Sequence, residues 1–327
     1  MDDGSEVPAD DVTGVAPGRA DRVLLLGIAR SGTSWLGRAL ATAEGVRFYY
    51  EPDNVDADPE GLSPAGGRGF GPYPIIEPGD PYSVFGPLWD TVFVGKLPRL
   101  RGWRLNAARA LLRMPPRLRD PVIRGTALVA SRLPAKHRCT VVKSIYAVFC
   151  VDWLVERYQP RVVVVQRNPL NVVSSWRQLN IPLFDVAHRP AIREHYLEPR
   201  GFDPPGRDMS ELGRIAWHVG FLTTVLGEAT DRHPGSLIIT HEDLCADPPT
   251  RFREVFDGLG LTWTPEVDRF LVDSNRPGEG LQPIRVTSDQ PARWRSRLTD
   301  SEVAEVADVL ARFPRGGWLR PQVLEVS

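Results

Sequence analysis

Four consecutive valines, Val162 to Val165, stand between Arg161 and Gln166-Arg167, and Asn168-Pro169 follows at once. A β-branched run with no polar alternation reads as a strand buried on both faces, which is how strands sit in parallel sheets covered by helices. Asn168 is a helix N-cap and Pro169 suits a first helical position, so a helix opens there and runs to about Leu179. The same unit recurs along the chain. Arg22 to Gly27 is a short buried strand, followed by a glycine-bearing turn and a helix from about Thr33 to Ala43. Cys139 to Lys143 is another, with a helix around Val148 to Tyr158 after it. Ser236 to Thr240 is a fourth, and Asp247-Pro248 starts its helix. Thr299-Asp-Ser-Glu302 is a capping-box pattern opening a last amphipathic helix. The alternation predicts an α/β protein of three α/β/α layers around a central parallel sheet.

No internal repeat is visible in the 327 residues. Residues 1–20 carry Asp2, Asp3, Glu6, Asp10 and Asp11 with no apolar core, and read as a disordered acidic leader, not a signal peptide. Residues 21–327 are expected to form a single domain, interrupted by an irregular insertion at about 52–138. From Pro52 to Lys96 the insertion is rich in Gly and Pro, and such long irregular stretches are lids or binding loops, or else disordered. From Lys96 to Arg138 it carries twelve Lys or Arg against one acid, Asp120. That stretch is either a solvated basic face or a positive rim that draws in an anionic ligand. A nucleic-acid binder using it is a weaker rival, since the formal net charge of −1 gives no global argument for nucleic acid. The three cysteines, Cys139, Cys150 and Cys245, lack CxxC spacing and read as reduced, buried thiols. No apolar run approaches the ~18 residues that a membrane span needs. A soluble, cytoplasmic protein is expected, either monomer or homodimer.

Gly27-Ile-Ala-Arg-Ser-Gly32-Thr33-Ser34 follows a strand and opens a helix. Backbone N–H groups at a helix start point at an anion, and the helix dipole favours it. The spacing nearly matches the nucleotide-binding loop GxxxxGK[ST], with one difference that matters. Thr33 stands where a lysine would reach the β- and γ-phosphates, and the loop's cation is Arg30, suited to one terminal phosphate. Arg167 ends the valine strand, and its helix carries Ser174 and Ser175. Open parallel sheets bind ligands at such strand ends. Together the two elements point to a ligand with two separated anionic groups.

Arg30-Ser-Gly-Thr-Ser-Trp35 resembles the 5'-phosphosulfate loop of sulfotransferases that use PAPS (3'-phosphoadenosine 5'-phosphosulfate). Arg167-Asn-Pro-Leu-Asn-Val-Val-Ser-Ser175 resembles their 3'-phosphate motif, with the arginine and serine eight apart. Thr240-His-Glu-Asp-Leu244 followed by Asp247-Pro248, and Arg293-Trp-Arg-Ser-Arg-Leu298, fit as well. The resemblance runs from about Arg22 to Phe313 with the middle loops unmatched. It implies a nucleotide-loop-like sulfotransferase fold in which PAPS is co-substrate and PAP (adenosine 3',5'-bisphosphate) leaves. It implies that Arg30 contacts the 5'-phosphate and bridging oxygen, while Ser31, Gly32, Thr33 and Ser34 donate from backbone and hydroxyl. Trp35 is placed near the adenine. Arg167 and Ser175 are placed at the 3'-phosphate, with Arg293 and Arg285 in the segment closing over it and His241 near the base. No metal is required by this chemistry, and no ligand cluster is evident.

The cytosolic branch of that family ends its second core strand in Lys-Thr-His, the histidine serving as base. This chain reads Lys143-Ser144-Ile145, which keeps a lysine for the transferring group and removes the histidine. Phe48-Tyr-Tyr-Glu51-Pro52 resembles a strand and Glu-Pro turn of carbohydrate-type and some bacterial members, which makes Glu51 the first candidate base. Glu51 could instead only order its loop, or pair with Arg30. His188 and His195 are the runners-up, and His218 reads as a core residue. The acceptor is expected to be a hydroxyl or an amine of a small molecule, sugar-containing or a secondary metabolite, with Tyr49, Tyr50, Tyr73, Tyr82 and Trp89 hinting at a ring or a sugar. The rival functions are a kinase or NTPase of the same loop type, and a nucleotide-binding module without catalysis.

Overall fold

Among the described residues, five strands, all parallel, form one sheet in the order β2-β3-β1-β4-β5. They are β1 (Arg19–Leu26), β2 (Val46–Tyr50), β3 (Cys139–Ser144), β4 (Pro160–Gln166) and β5 (Leu237–Thr240). The computed structural model describes residues 19–54, 72–79, 86–93, 138–278 and 285–314. Nine helices are used below: α1 (Thr33–Leu40), α2 (Gly86–Phe93), α3 (Val151–Tyr158), α4 (Pro169–Leu179), α5 (Glu211–Asp231), α6 (His241–Ala246), α7 (Pro248–Gly258), α8 (Pro265–Ser274) and α9 (Asp300–Leu310).

Side chains of β1 alternate between two cores, which is the physical signature of a sheet covered on both faces. Leu24 and Leu26 enter a core with residues of α2, α3, α4, α5 and α9, including Trp89, Trp153, Trp176, Phe221 and Val306. Val23 and Leu25 enter the other, with Leu36 of α1, Leu244 of α6, Phe252 of α7 and Val267 of α8. The three layers expected from the sequence are present. All three cysteines are buried free thiols, as read from their spacing. No helix among the described residues is long and apolar enough to cross a membrane.

Caps fall where the sequence put them. The Asn168 side chain accepts from Leu170 N at 2.9 Å, and Thr299 and Glu302 bond reciprocally across the start of α9. Two boundaries differ in ways that matter here. β1 begins at Arg19, paired with Pro160, so the last two residues of the expected leader belong to the sheet. Residues 1–18 lie outside the described residues. The helix expected from Val148 starts at Val151, after a tight turn at Ala147–Phe149. Ser144 Oγ causes that turn by accepting from Tyr146 N and Ala147 N at 3.1 and 3.0 Å. Within the insertion, α2 supplies Trp89 to the core; the basic stretch from Lys96 lies outside the described residues except for Arg138.

The register places the ends of β1, β3 and β4 side by side, with Leu26 opposite both Ser144 and Val164. β2 and β3 lie to one side of β1, β4 and β5 to the other. Chain connections leave in opposite directions from such a point and open a crevice beyond the strand ends, where open α/β sheets bind ligands.

Candidate functional site

The loop from Gly27 to Gly32 bends tightly, with Ser31 N donating to Ile28 O at 3.2 Å. A Cβ at Gly27 would lie 2.7 Å from the Val165 carbonyl of β4, and one at Gly32 would lie 2.3 Å from the His241 ring. Gly32 also has φ 104°, so glycine is required there on both counts. Arg30 adopts φ 69° without being glycine, and Arg167 Nη1 holds its carbonyl at 3.2 Å. Gly32 caps α1 with no side-chain hydrogen bond, which leaves the helix's first N–H groups for another acceptor. Ser31 Oγ is buried with no partner. A buried hydroxyl of that kind is costly unless something bonds it. The loop therefore has the form of a cradle for an anion.

The second element meets the first more closely than their sequence separation suggests. Arg30 Nε donates to Ser175 Oγ of α4 at 3.1 Å. Arg167 Nη2 reaches Gln290 Oε1 at 3.4 Å, while its Nε is buried and unpartnered. Burial pushes the Arg167 guanidinium down to about 10, against the attraction of Glu242. Glu242 is itself engaged, accepting from Asn168 N at 3.1 Å. Burial, then Arg285 and Arg293, lower Arg30. Burial, then Arg293, Arg285 and Arg30, lower Arg297 to about 10. Like charges brought this close out of water disfavour one another's charged state, and an anion among them reverses that cost. The segment carrying Gln290, Arg293 and Arg297 is docked on α4 by Asn171, whose amide donates to Pro291 O at 2.9 Å and accepts from Trp294 N at 3.0 Å.

At the ends of β2 and β3 lies a buried ion pair. Lys143 Nζ donates to Glu51 Oε1, and Asn54 Nδ2 donates to the other carboxylate oxygen at 2.6 Å. Glu51 has φ 48°, and its backbone N–H extends the sheet by bonding Lys143 O at 2.8 Å. The ammonium also lies 4.5 Å from the centroid of the Tyr50 ring. Two residues on, Asp53 accepts from Ser144 Oγ, and its Oδ1 is buried without a partner. Burial, then the Glu51 charge, raise its carboxyl to about 7, against the Ser144 hydrogen bond.

One cleft of about 290 Å³ brings most of the predicted residues together. Arg30, Gly32, Thr33, Ser34, Trp35, Glu51, Lys143, Arg167, His241 and Arg285 all line it. Ser31 and Ser175 are buried in the loop and in α4. Arg293 is not among the lining residues, though its charge is felt at Arg30. Most of the Trp35 indole is packed away, edge-on to Phe252 at 4.7 Å, with Nε1 donating to Ser274 at 2.9 Å. Burial, then Arg167 and Arg30, push the His241 ring well below the usual imidazole range.

Glu51 pairs with Lys143, not with Arg30. The two alternative bases lie elsewhere: His188 bonds Asp185 at 2.7 Å and His195 bonds Glu77 at 2.8 Å, all four half or more exposed or nearly so and none in the cleft. His218 is a core residue bonded to Arg214 O at 2.8 Å, its ring pushed down to about 4 by burial. Of the hinted aromatics, Tyr50 and Tyr73 line the cleft, Trp89 is in the core, and Tyr82 lies outside the described residues. The sequence reading missed Asn171, Gln290, Arg297 and Asp53. Asn171 and Arg297 sit inside segments already singled out; nothing local distinguishes the other two. No group of three or more His, Cys, Asp or Glu among the described residues is arranged to hold a metal.

No family model matches the chain. Carbohydrate sulfotransferase 2 of mouse (Mus musculus) and of human (Homo sapiens) is each 29% identical over 77 residues, 22% of this chain. That match spans 14% of the length of either relative. Among solved structures, the chain is similar to the sulfotransferase domain from the curacin biosynthetic pathway (14% identical, TM-score 0.49, covering 90% of this chain and 98% of that one). It is also similar to a mouse sulfotransferase complexed with PAP (14%, TM-score 0.43, 95% and 91%). A third is a sulfotransferase of Mycobacterium tuberculosis H37Rv (15%, TM-score 0.41, 92% and 77%).

Proposed function

We propose that the chain is a sulfotransferase that moves a sulfuryl group from PAPS to a hydroxyl of a small-molecule acceptor. The observation that carries this reading is the arginine-lined cleft at the switch point of the sheet. It joins the Gly27–Gly32 cradle to the Arg167/Ser175 end of β4 and α4 through hydrogen bonds that include Arg30 Nε to Ser175 Oγ and Arg167 Nη1 to Arg30 O. A donor with anionic groups at its 5' and 3' positions has a partner for each. The unpartnered Ser31 Oγ and Arg167 Nε are groups that such a donor would satisfy.

In the reaction, the bond from sulfur to the bridging phosphate oxygen breaks as the acceptor oxygen bonds to sulfur. Arg30 is assigned the charge on the leaving phosphate, and fixed donors of this kind are the main resource of such transfers. Glu51 is assigned the acceptor's proton, and Lys143, its ion-pair partner, the charge of the transferring group. A kinase would want a lysine where Thr33 stands. The only carboxylate lining the described cleft is Glu51, and it is already paired.

Calorimetric titration with PAP, AMP and ATP tests the donor reading. PAP is expected to bind at least about tenfold more tightly than AMP, the worth of one charge-assisted phosphate contact. Arg167→Ala is expected to remove that preference. Equal affinity for PAP and AMP, or tighter binding of ATP, would overturn the assignment.

A further inference from the structure

Arg189 follows the short turn at Val186–His188, outside every segment that the proposed donor chemistry uses. Its guanidinium spends its donors on backbone carbonyls of two separate segments. Nη1 donates to Pro72 O at 2.7 Å and to Tyr73 O at 3.1 Å, and Nη2 to Phe184 O at 3.4 Å. Two of those three residues are strained. Tyr73 has φ 62° and Phe184 φ 55°, and Asp185 beside it has φ 50°, all in the left-handed region and none of them glycine. Such conformations cost on the order of 1–3 kcal/mol each and persist only where the surroundings hold them. Here the fork of Arg189 holds the carbonyls of both Tyr73 and Phe184.

What the strain achieves is the placement of rings. Tyr73 and Phe184 both line the cleft, and Tyr146 lies between them in a ladder, 5.0 Å from the Tyr73 ring and 6.0 Å from the Phe184 ring, each contact edge to face. Ile145, Ile181 and Pro182 complete this stretch of the lining. Glu51 borders it, close enough that its charge helps push the Tyr73 hydroxyl upward after burial and Tyr146. Rings at these angles present faces and edges to a flat guest, and the side chains of Ile145, Ile181 and Pro182 offer it no hydrogen bond. Arg189 does not line the cleft itself, and its three hydrogen bonds go to backbone carbonyls. Phe184 is 36% exposed, an aromatic side chain left at the cleft's mouth.

We propose that Arg189 is a specificity-setting positioning residue, clasping Tyr73 and Phe184 so that the cleft takes a ring-bearing, uncharged hydroxyl compound as acceptor. The identification of the guest as acceptor rests on the function proposed above; the ring-binding wall does not. Arg189 touches no reacting atom in this assignment and acts through the two rings.

The test uses the full chain with 2-naphthol and N-acetylglucosamine as probes and PAPS as donor. Binding of 2-naphthol, followed by its own fluorescence, needs no donor. The wild type is expected to bind 2-naphthol and to sulfate it in preference to N-acetylglucosamine. Arg189→Ala is expected to raise the KM and Kd for 2-naphthol about tenfold or more, as loss of pocket contacts does, with PAP affinity unchanged. Arg189→Lys is expected to behave like the alanine variant, because one ammonium cannot span carbonyls on two segments. Phe184→Ala, at an exposed position that folding tolerates, is expected to show the same KM loss without a change in PAP affinity. A preference for N-acetylglucosamine, or an unchanged 2-naphthol affinity in both Arg189→Ala and Phe184→Ala, would overturn the proposal. Binding of 2-naphthol lost in those variants, in a protein that fails to bind PAP, would sink the donor reading and leave the wall standing.

Discussion

Asp53 is buried two residues from Glu51, with one carboxyl oxygen held by Ser144 and the other unpartnered. Burial first, then the Glu51 charge, lift it from the ordinary 3.8 to about 7. In the unfolded chain the group ionises near its ordinary value of about 4. Between those two values the folded protein therefore binds more protons than the unfolded one, so this group's contribution to stability falls as pH rises and levels off above about 7. His218 acts with the opposite sign: its ring is pushed down to about 4, so its contribution is lost as pH falls below the unfolded value of about 6.5. Asp53→Asn keeps the shape and the acceptor for Ser144 but cannot ionise. Urea midpoints measured from about pH 4.5 to 8 are expected to favour the variant increasingly as pH rises towards 7. A difference between the two proteins that stays constant across that range would show that Asp53 does not titrate there.

At the scale of elements, α4 does more than continue from the valine strand. Its start was legible: a β-branched run with no alternation, then Asn168-Pro169, leaves little besides a buried strand turning into a capped helix. The same logic made β1, β3, β5 and the capping box at α9 readable. The docking of the C-terminal segment on α4 was not, because it rests on Asn171 meeting Pro291 and Trp294 across more than a hundred residues, and no periodicity encodes such a contact. The Glu51–Lys143 pair was hidden for the same reason: only the register that sets Tyr50 opposite Lys143 brings them together. The strain at Tyr73 and Phe184 carried no signal at all, since neither is a residue that turn chemistry favours at positive φ. Asn171→Ala leaves Pro291 O and Trp294 N without their partner. It is expected to cost on the order of 2 kcal/mol in urea unfolding, the usual penalty of stranding buried polar groups, and to weaken PAP binding by loosening the arginine-bearing segment. Wild-type PAP affinity in a destabilised Asn171→Ala protein would separate the docking from the donor site.

Across the whole molecule the charges nearly cancel, 40 basic against 41 acidic residues, yet Arg30, Arg167, Arg285, Arg293 and Arg297 lie close enough to perturb one another. With a net charge of −1, general self-repulsion is small, so a salt effect on stability reports the cluster rather than the total. Screening relieves repulsion among the arginines, most for those nearest solvent, and it equally weakens their attraction for a bound dianion. Raising sodium chloride from about 50 to 500 mM shortens the screening length from above 10 Å to below 5 Å. The free protein's Tm is therefore expected to rise with salt, while the increment in Tm produced by a fixed excess of PAP shrinks. A ligand held mainly by apolar contacts behaves otherwise, because salts that act on apolar hydration strengthen burial. Thermal unfolding followed with and without PAP across that range decides between them. A PAP increment that is constant or grows with salt would mean that the arginines do not hold the ligand's charge, whatever else lines the cleft.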